Sequence, residues 1–346
     1  MEELTVGLIG MGEMGRIHAQ NLATLPHVRL LAVASRREDA RSAAATSLNV
    51  SRLYADYEAL LEDDDVEAVV IAANTSDHAE LVIAAAQAGK AIFCEKPAAL
   101  TLAEMDRVLS AVRAADVPFQ IGFMRRFDPP YARAKRQIEA GAIGRPVSFL
   151  GISRDPYLPA PEDRSALARG NLFLDLGIHD YDLACWLVGD QVVQVYAAGE
   201  ALVYPQLRDF GDLDNAQVTL RFASGAIGSI NLSRNARYGY DVRTEVLGSE
   251  GALQIGDLRQ TALDLLTRDG VHYGTYPWYQ ERFAAAYRQE LCQFVAWVQG
   301  QAEPAIAGEE GRTALAIALA ATESFRTGQP VELDEGSHIK RHRIAP

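Results

Sequence analysis

The chain has 346 residues, enough for two domains, and its 49% hydrophobic and 23% charged composition is that of a folded globular protein. With 33 basic against 46 acidic residues the net charge is −13, which excludes the positive footprint that nucleic acid or an anionic membrane requires of its main partner. Cys94, Cys185 and Cys292 are widely spaced and form neither a metal-binding pattern nor a disulfide framework, so reduced thiols in a cytoplasmic protein, with no metal site, are expected.

The opening Met-Glu-Glu-Leu-Thr-Val lacks the basic segment of a secretion signal, and the longest apolar stretch, near Ala314–Ala321, is too short to span a bilayer. Over the first 122 residues short apolar runs alternate with helical patterns. Thr5–Ile9, Val28–Ala34, Val66–Ala73, Ala91–Cys94 and Val117–Ile121 read as buried strands, being Val/Ile-rich, unbroken and short. Alanine-rich segments between them, Asp77–Ala88 and Leu102–Ala115, predict helices. Thr101 and Glu104 have the spacing of a capping box, and Gly89 stands at a helix C-terminus. This alternation implies an α/β fold, a doubly wound parallel sheet of Rossmann type over residues 1–123.

The pattern changes after Gly122. Pro129–Ala140 and Asn171–Leu187 predict helices. From Val192 to Tyr273, strand-like runs are joined by turn signals at 223–225, 249–251 and 268–270, which predict hairpins of a large open, mostly antiparallel sheet. Helical patterns at Tyr279–Gln299 and Glu309–Arg326 complete an α+β domain over residues 124–346.

Gly10-Met11-Gly12-Glu13-Met14-Gly15 is a GxGxxG between the first strand and a helix. Its glycines permit a tight turn, close approach of a pyrophosphate and close helix–strand packing, so these six residues are candidate dinucleotide ligands. About twenty residues on, where NAD sites carry an acid for the adenosine ribose, stand Ser35, Arg36 and Arg37. A hydroxyl and two guanidinium groups suit a 2′-phosphate, so NADP is expected first and NAD second; the same arginines also fit a solvated helix start. Asn74, His78, Glu95 and Lys96 complete the expected cofactor contacts.

Glu95-Lys96-Pro97 follows the strand Ala91–Cys94. Ligands of open α/β sheets lie beyond the carboxyl ends of the strands, and an ammonium there can stabilise developing alkoxide charge, although a lone lysine after a strand is more often surface. Asp175 and His179 are four residues apart in a predicted helix and so share a face. Histidine is the natural base for an alcohol proton near neutral pH, and a neighbouring carboxylate can orient it; alone, such a pair is more often a structural hydrogen bond.

Together these motifs resemble the glucose–fructose oxidoreductase/inositol dehydrogenase (Gfo/Idh/MocA) family over nearly the whole chain. The residues that carry the resemblance are Gly10–Gly15, Glu95-Lys96-Pro97, and Asp175-x-x-x-His179 followed by Asp182 and Trp186. It implies a catalytic set of Lys96, Asp175 and His179. Within the family, Gly122-Phe-Met-Arg-Arg-Phe-Asp128, Ser153-Arg-Asp-Pro156, Ile178-His-Asp-Tyr-Asp182 and Tyr238-Gly-Tyr-Asp241 are most similar to the inositol 2-dehydrogenases. That similarity implies Arg126, Asp155 and Tyr238 or Tyr240 at the substrate. It further implies NAD(P)-dependent oxidation of a ring hydroxyl of a cyclic polyol, myo-inositol first, by a homo-tetramer joined through the open sheet.

Two stretches depart from the inositol pattern. Gly170-Asn171-Leu172 replaces an expected Gly-Gly pair, and Ser35-Arg36 is more similar to the family's NADP-using sugar and diol dehydrogenases. The competing readings are therefore an aldose or diol dehydrogenase, a non-catalytic nucleotide-binding sensor, and a redox-neutral glycosidase that retains its nicotinamide.

Overall fold

The apolar runs at the front of the chain become the strands of one parallel sheet. In the computed structural model, which describes residues 3–158 and 170–334, they are β1 Leu4–Ile9, β2 Val28–Ala34, β3 Arg52–Tyr54, β4 Ala68–Ile71, β5 Ala91–Glu95 and β6 Phe119–Gly122. The helices between them are α1 Glu13–Leu22, α2 Glu38–Leu48, α3 Tyr57–Leu61, α4 His78–Gln87 and α5 Leu102–Ala115. Strand order is β3-β2-β1-β4-β5-β6, every pair parallel. The order reverses between β1 and β4, which opens a crevice at their carboxyl ends for a ligand. Apart from the edge strand β3, the strands are largely buried on both faces because helices cover both, hence their unbroken apolar runs. Thr101 and Glu104 close a reciprocal capping box on α5, and Gly89 takes a φ of +70° after α4. β3 has only three residues and no apolar run, so it escapes a periodicity reading.

The rest of the chain forms α6 Pro129–Glu139, β7 Pro146–Arg154, α7 Leu172–Asp175, α8 Ile178–Val188, β8 Val192–Glu200, β9 Asn215–Phe222, β10 Ile227–Ser233, β11 Asp241–Gly248 and β12 Ala252–Ile255. There follow β13 Arg259–Thr267, β14 Gly270–Thr275, α9 Tyr279–Arg282, α10 Ala284–Val298, α11 Gly308–Thr327 and β15 Val331–Glu332. Seven strands make a sheet in the order β12-β11-β7-β10-β9-β8-β15, and β13 pairs with β14. All three expected hairpins form, at β9–β10, β11–β12 and β13–β14. The pair β7–β10 is parallel, so the large sheet is mixed. Along β9, buried Ala216, Val218, Leu220 and Phe222 alternate with exposed Gln217, Thr219 and Arg221, the signature of a sheet covered on one face. α8 packs on β7 and α6 on β12. The other face presents Leu150, Tyr196, Ile227 and Leu247.

Two units result. The first takes Met1–Phe127 together with Ala285–Arg312, and the second Asp128–Ala284 together with Thr313–Pro346. The sequence reading places one boundary near residue 123 and leaves α10 beyond it. In the structure Leu291, Phe294 and Val295 of α10 join the core of Val6, Leu8, Leu22 and Phe93, so the helix belongs to the first unit. Among the described residues no helix is long and apolar enough to cross a membrane.

Candidate active site

The glycine turn joins β1 to α1, and its three glycines are required for different reasons. Gly10 has a φ of +98°, and a Cβ there would lie 2.5 Å from the Ala72 carbonyl oxygen. A Cβ on Gly15 would lie 2.1 Å from the Gly10 carbonyl oxygen. Both contacts are internal to the fold. A Cβ on Gly12 would meet nothing within 4 Å, so the protein's own packing does not call for glycine there. Close approach of a pyrophosphate would. Gly12 is also the N-cap of α1 and supplies no side-chain cap, as suits a helix N-terminus that receives an anion. The residues present therefore fit a dinucleotide.

Ser35, Arg36 and Arg37 follow β2, as the sequence reading requires. Arg36 pairs with Asp77 at 3.1 Å and its side chain is 81% exposed, while Arg37 pairs with Asp39. Asn74 lies between β4 and α4. His78, at the start of α4, is buried, with Nδ1 2.8 Å from the Pro97 carbonyl and Nε2 3.2 Å from that of Ala73. Burial lowers its pKa. It ties the turn after β4 to the turn after β5 and so positions both.

Glu95 ends β5 and is buried. Its Oε1 lies 2.6 Å from His18 Nε2, and its Oε2 accepts the Lys96 backbone N–H at 3.1 Å. Burial pushes the carboxyl up, but the His18 hydrogen bond and nearby Lys96 outweigh it and hold Glu95 below its ordinary range. Glu95 thus anchors Lys96, with both oxygens occupied inside the protein. Lys96 is half-buried, directly after the strand. Arg126 lies in the turn after β6, buried, 2.9 Å from Glu310.

The second unit carries Asp175 and His179. The expected single helix over Asn171–Leu187 is broken into α7 and α8 at Leu176 and Gly177. The backbone N–H groups of Leu176 and Gly177 both donate to Leu172 O, which widens the turn. A Cβ on Gly177 would lie 2.6 Å from the Tyr181 hydroxyl and 2.8 Å from Phe173 O, so only glycine lets the two helices meet this closely. Asp175 therefore ends one helix and His179, buried, opens the next.

Sequence reasoning missed what fixes Asp175. Arg234 is buried at the end of β10; its Nη1 is 2.6 Å from Asp212 Oδ2 and its Nη2 is 3.8 Å from Asp175 Oδ2. Asp212 Oδ1 accepts the backbone N–H groups of Leu172 and Leu213, each at 2.8 Å. Asn171 caps α7 through Leu174 N and donates to Thr322 Oγ1 at 3.1 Å. No spacing rule links residues 171, 212 and 234. Asp155 follows β7, its backbone bonded to Ser233 and Ala236. The Tyr238 hydroxyl donates to Asp241 at 2.8 Å and accepts from Arg154 at 3.0 Å, and its ring is 48% exposed. Tyr240 is buried, edge-on to Phe283.

Comparison with known proteins agrees with this arrangement in both units. Residues 4–123 match an oxidoreductase family with an NAD-binding Rossmann fold, and residues 131–254 match the GFO/IDH/MocA C-terminal domain. The chain is 40% identical to the myo-inositol 2-dehydrogenase of Thermotoga maritima over 333 residues, 96% of this chain and 99% of that one. It is 38% identical to the scyllo-inositol 2-dehydrogenase (NAD(+)) of Bacillus subtilis, over 96% of this chain and 97% of the relative. The crystal structure of scyllo-inositol dehydrogenase from Lactobacillus casei, with bound NAD(H) and scyllo-inositol, is similar with a TM-score of 0.90. It is 29% identical, covering 96% of this chain and 99% of that one.

Proposed function

The chain belongs to the Gfo/Idh/MocA family of oxidoreductases, and we infer that it is an inositol 2-dehydrogenase that oxidises a ring hydroxyl of myo-inositol to the ketone. A shared Rossmann domain alone would support only the fold. What carries the reading to a substrate class is that the similarity to inositol dehydrogenases runs through the second unit as well, over 96% of the chain.

Each side chain then has a role. His179 accepts the hydroxyl proton, a task for which an imidazole is suited near neutral pH. The nicotinamide, when bound, accepts the hydride. Lys96 hydrogen-bonds the reacting oxygen and stabilises its developing charge. Asp175, paired with Arg234, orients His179 or a neighbouring substrate hydroxyl. Arg126, Asp155 and Tyr238 are the further groups we assign to the substrate.

For the cofactor we favour NADP over NAD. No carboxylate stands at residues 35–37 to repel a 2′-phosphate. A charge-assisted bond from Arg36 is worth about 1.5–3 kcal/mol, or about ten- to a hundredfold in preference. Asp77 and Asp39 already draw on the two arginines, which sets the expectation at the low end. A homo-tetramer is our assembly reading, supported by the apolar residues on the open sheet face. Cys94, Cys185 and Cys292, none of them in a disulfide, suit a reducing, cytoplasmic compartment.

The test is steady-state turnover with a panel of inositols, aldoses and diols against each cofactor. Reduced cofactor accumulating fastest with an inositol is expected. Faster turnover of an aldose or diol would shift the substrate, and no reduction with any polyol would favour the sensor or the redox-neutral hydrolase. A kcat/KM with NAD equal to or above that with NADP would show Arg36 turned to solvent.

A further inference from the structure

Three buried titratable side chains of the first unit cluster together: His18 on α1, Glu95 at the end of β5 and Glu290 on α10. A ring nitrogen of His18 and one carboxyl oxygen from each glutamate lie within 4.8 Å of one another. Metal ligands could be arranged so. Yet ligand bonds of about 2.1 Å would hold His18 and Glu95 about 3 Å or more apart, and they are 2.6 Å apart. Theirs is a direct hydrogen bond.

Two carboxylates this close, in an apolar shell that includes Phe93 and Tyr287 edge-on to His18, cannot both be charged. The charge belongs on Glu95, whose oxygens have donors in His18 and the Lys96 N–H and which also feels Lys96 and His78. Glu290 is fully buried, and among the described residues no donor reaches either carboxyl oxygen. Burial, with Glu95 alongside, pushes its pKa well above the ordinary value. The titratable groups beside it are His18 from α1 and Glu95 from β5; Gln120 from β6 donates to the Glu290 backbone carbonyl, and Tyr287, one turn back on the same helix, lies edge-on to His18. A neutral acid beside an anion is a donor beside an acceptor.

We propose that Glu290 is a positioning residue for Lys96: it shares its proton with Glu95, and Glu95 so held fixes both His18 on the cofactor helix and the Lys96 backbone. The Lys96 part rests on the reading of that lysine as the group that bonds the reacting oxygen.

The experiment uses the full-length protein and three readouts. Infrared spectroscopy at neutral pH should show the carbonyl stretch of a buried carboxylic acid that Glu290→Gln removes. Its absence from the unaltered protein would overturn the shared proton, whatever the substrate. Glu290→Met removes the donor. A raised carboxyl pKa favours folding fully only below the unfolded value and loses that contribution as pH climbs toward the folded one, so Met should leave the melting temperature equal or higher at neutral pH. Turnover should nevertheless fall about tenfold or more, with both KM values within about twofold, because a displaced Lys96 affects the transition state. Glu290→Gln, which restores a donor, should recover most of that loss. Amine labelling of Lys96, read by mass spectrometry, should change in Glu290→Met and return in Glu290→Gln. Altered labelling with unaltered turnover would fault the catalytic reading of Lys96 and leave the positioning intact; unaltered labelling would overturn the positioning itself.

Discussion

In the first unit the groups offered to the cofactor are placed by backbone and by near neighbours in sequence. Gly10, Gly12 and Gly15 lie within one turn, and Glu95 anchors the residue that follows it. In the second unit Asp175 is placed by side chains drawn from Asn171, Asp212 and Arg234, more than sixty positions end to end. A site made of backbone can lose its ligand without losing its fold. One made of a buried ion-pair network has function and stability bound together, because removing one charge strands another.

The largest effect is expected of His179→Ala. Loss of a general base should lower turnover by roughly 10²–10⁴-fold while the dissociation constant of the cofactor, measured by fluorescence titration, stays the same. Turnover close to normal would remove the proton-transfer role from the second unit.

Arg234→Met tests the network. Asp212 would keep its two backbone donors but lose its counter-charge, at a cost of about 3–5 kcal/mol, and the start of α7 would be loosened. Denaturant melts and kinetics should decline together. Full stability with lost turnover would mean that the second unit separates the two properties just as the first does.

The glycines supply the smallest and most specific contrast. Gly12→Ala adds a methyl group to open space, so the melting temperature should hold while cofactor affinity falls about tenfold, roughly 1.4 kcal/mol. Gly15→Ala forces a methyl group against the Gly10 carbonyl and should destabilise the fold by about 1–3 kcal/mol or more. Equal effects of the two would mean that Gly12 is structural.

The same contrast explains what could be read in the sequence. The glycine turn, the capping box of Thr101 and Glu104, and the three hairpins depend on residues a few positions apart, so pattern and turn chemistry reach them. β7 begins at Pro146 and contains Ser148, Gly151 and Ser153, so it has no apolar run to betray it, although it lies near the centre of the large sheet. The break between α7 and α8 depends on where Tyr181 packs, and the allegiance of α10 on Phe294 meeting Phe93, 5.9 Å between ring centroids. These are tertiary facts. His18 stood three residues beyond Gly15 throughout, but only its bond to Glu95 shows what it does.

If this chain moves a hydride from an inositol carbon to a nicotinamide, with His179 taking the proton, a label on that carbon must reach the cofactor ring. The most direct test gives the enzyme myo-inositol deuterated at C2 and follows the label in the reduced cofactor by NMR, alongside His179→Ala. Deuterium on the nicotinamide ring with the unaltered enzyme, and far slower transfer with the variant at undiminished cofactor binding, is the predicted result. Reduced cofactor without deuterium would place the oxidation at another carbon, and no label transfer at all to a cofactor shown to be bound would contradict the account.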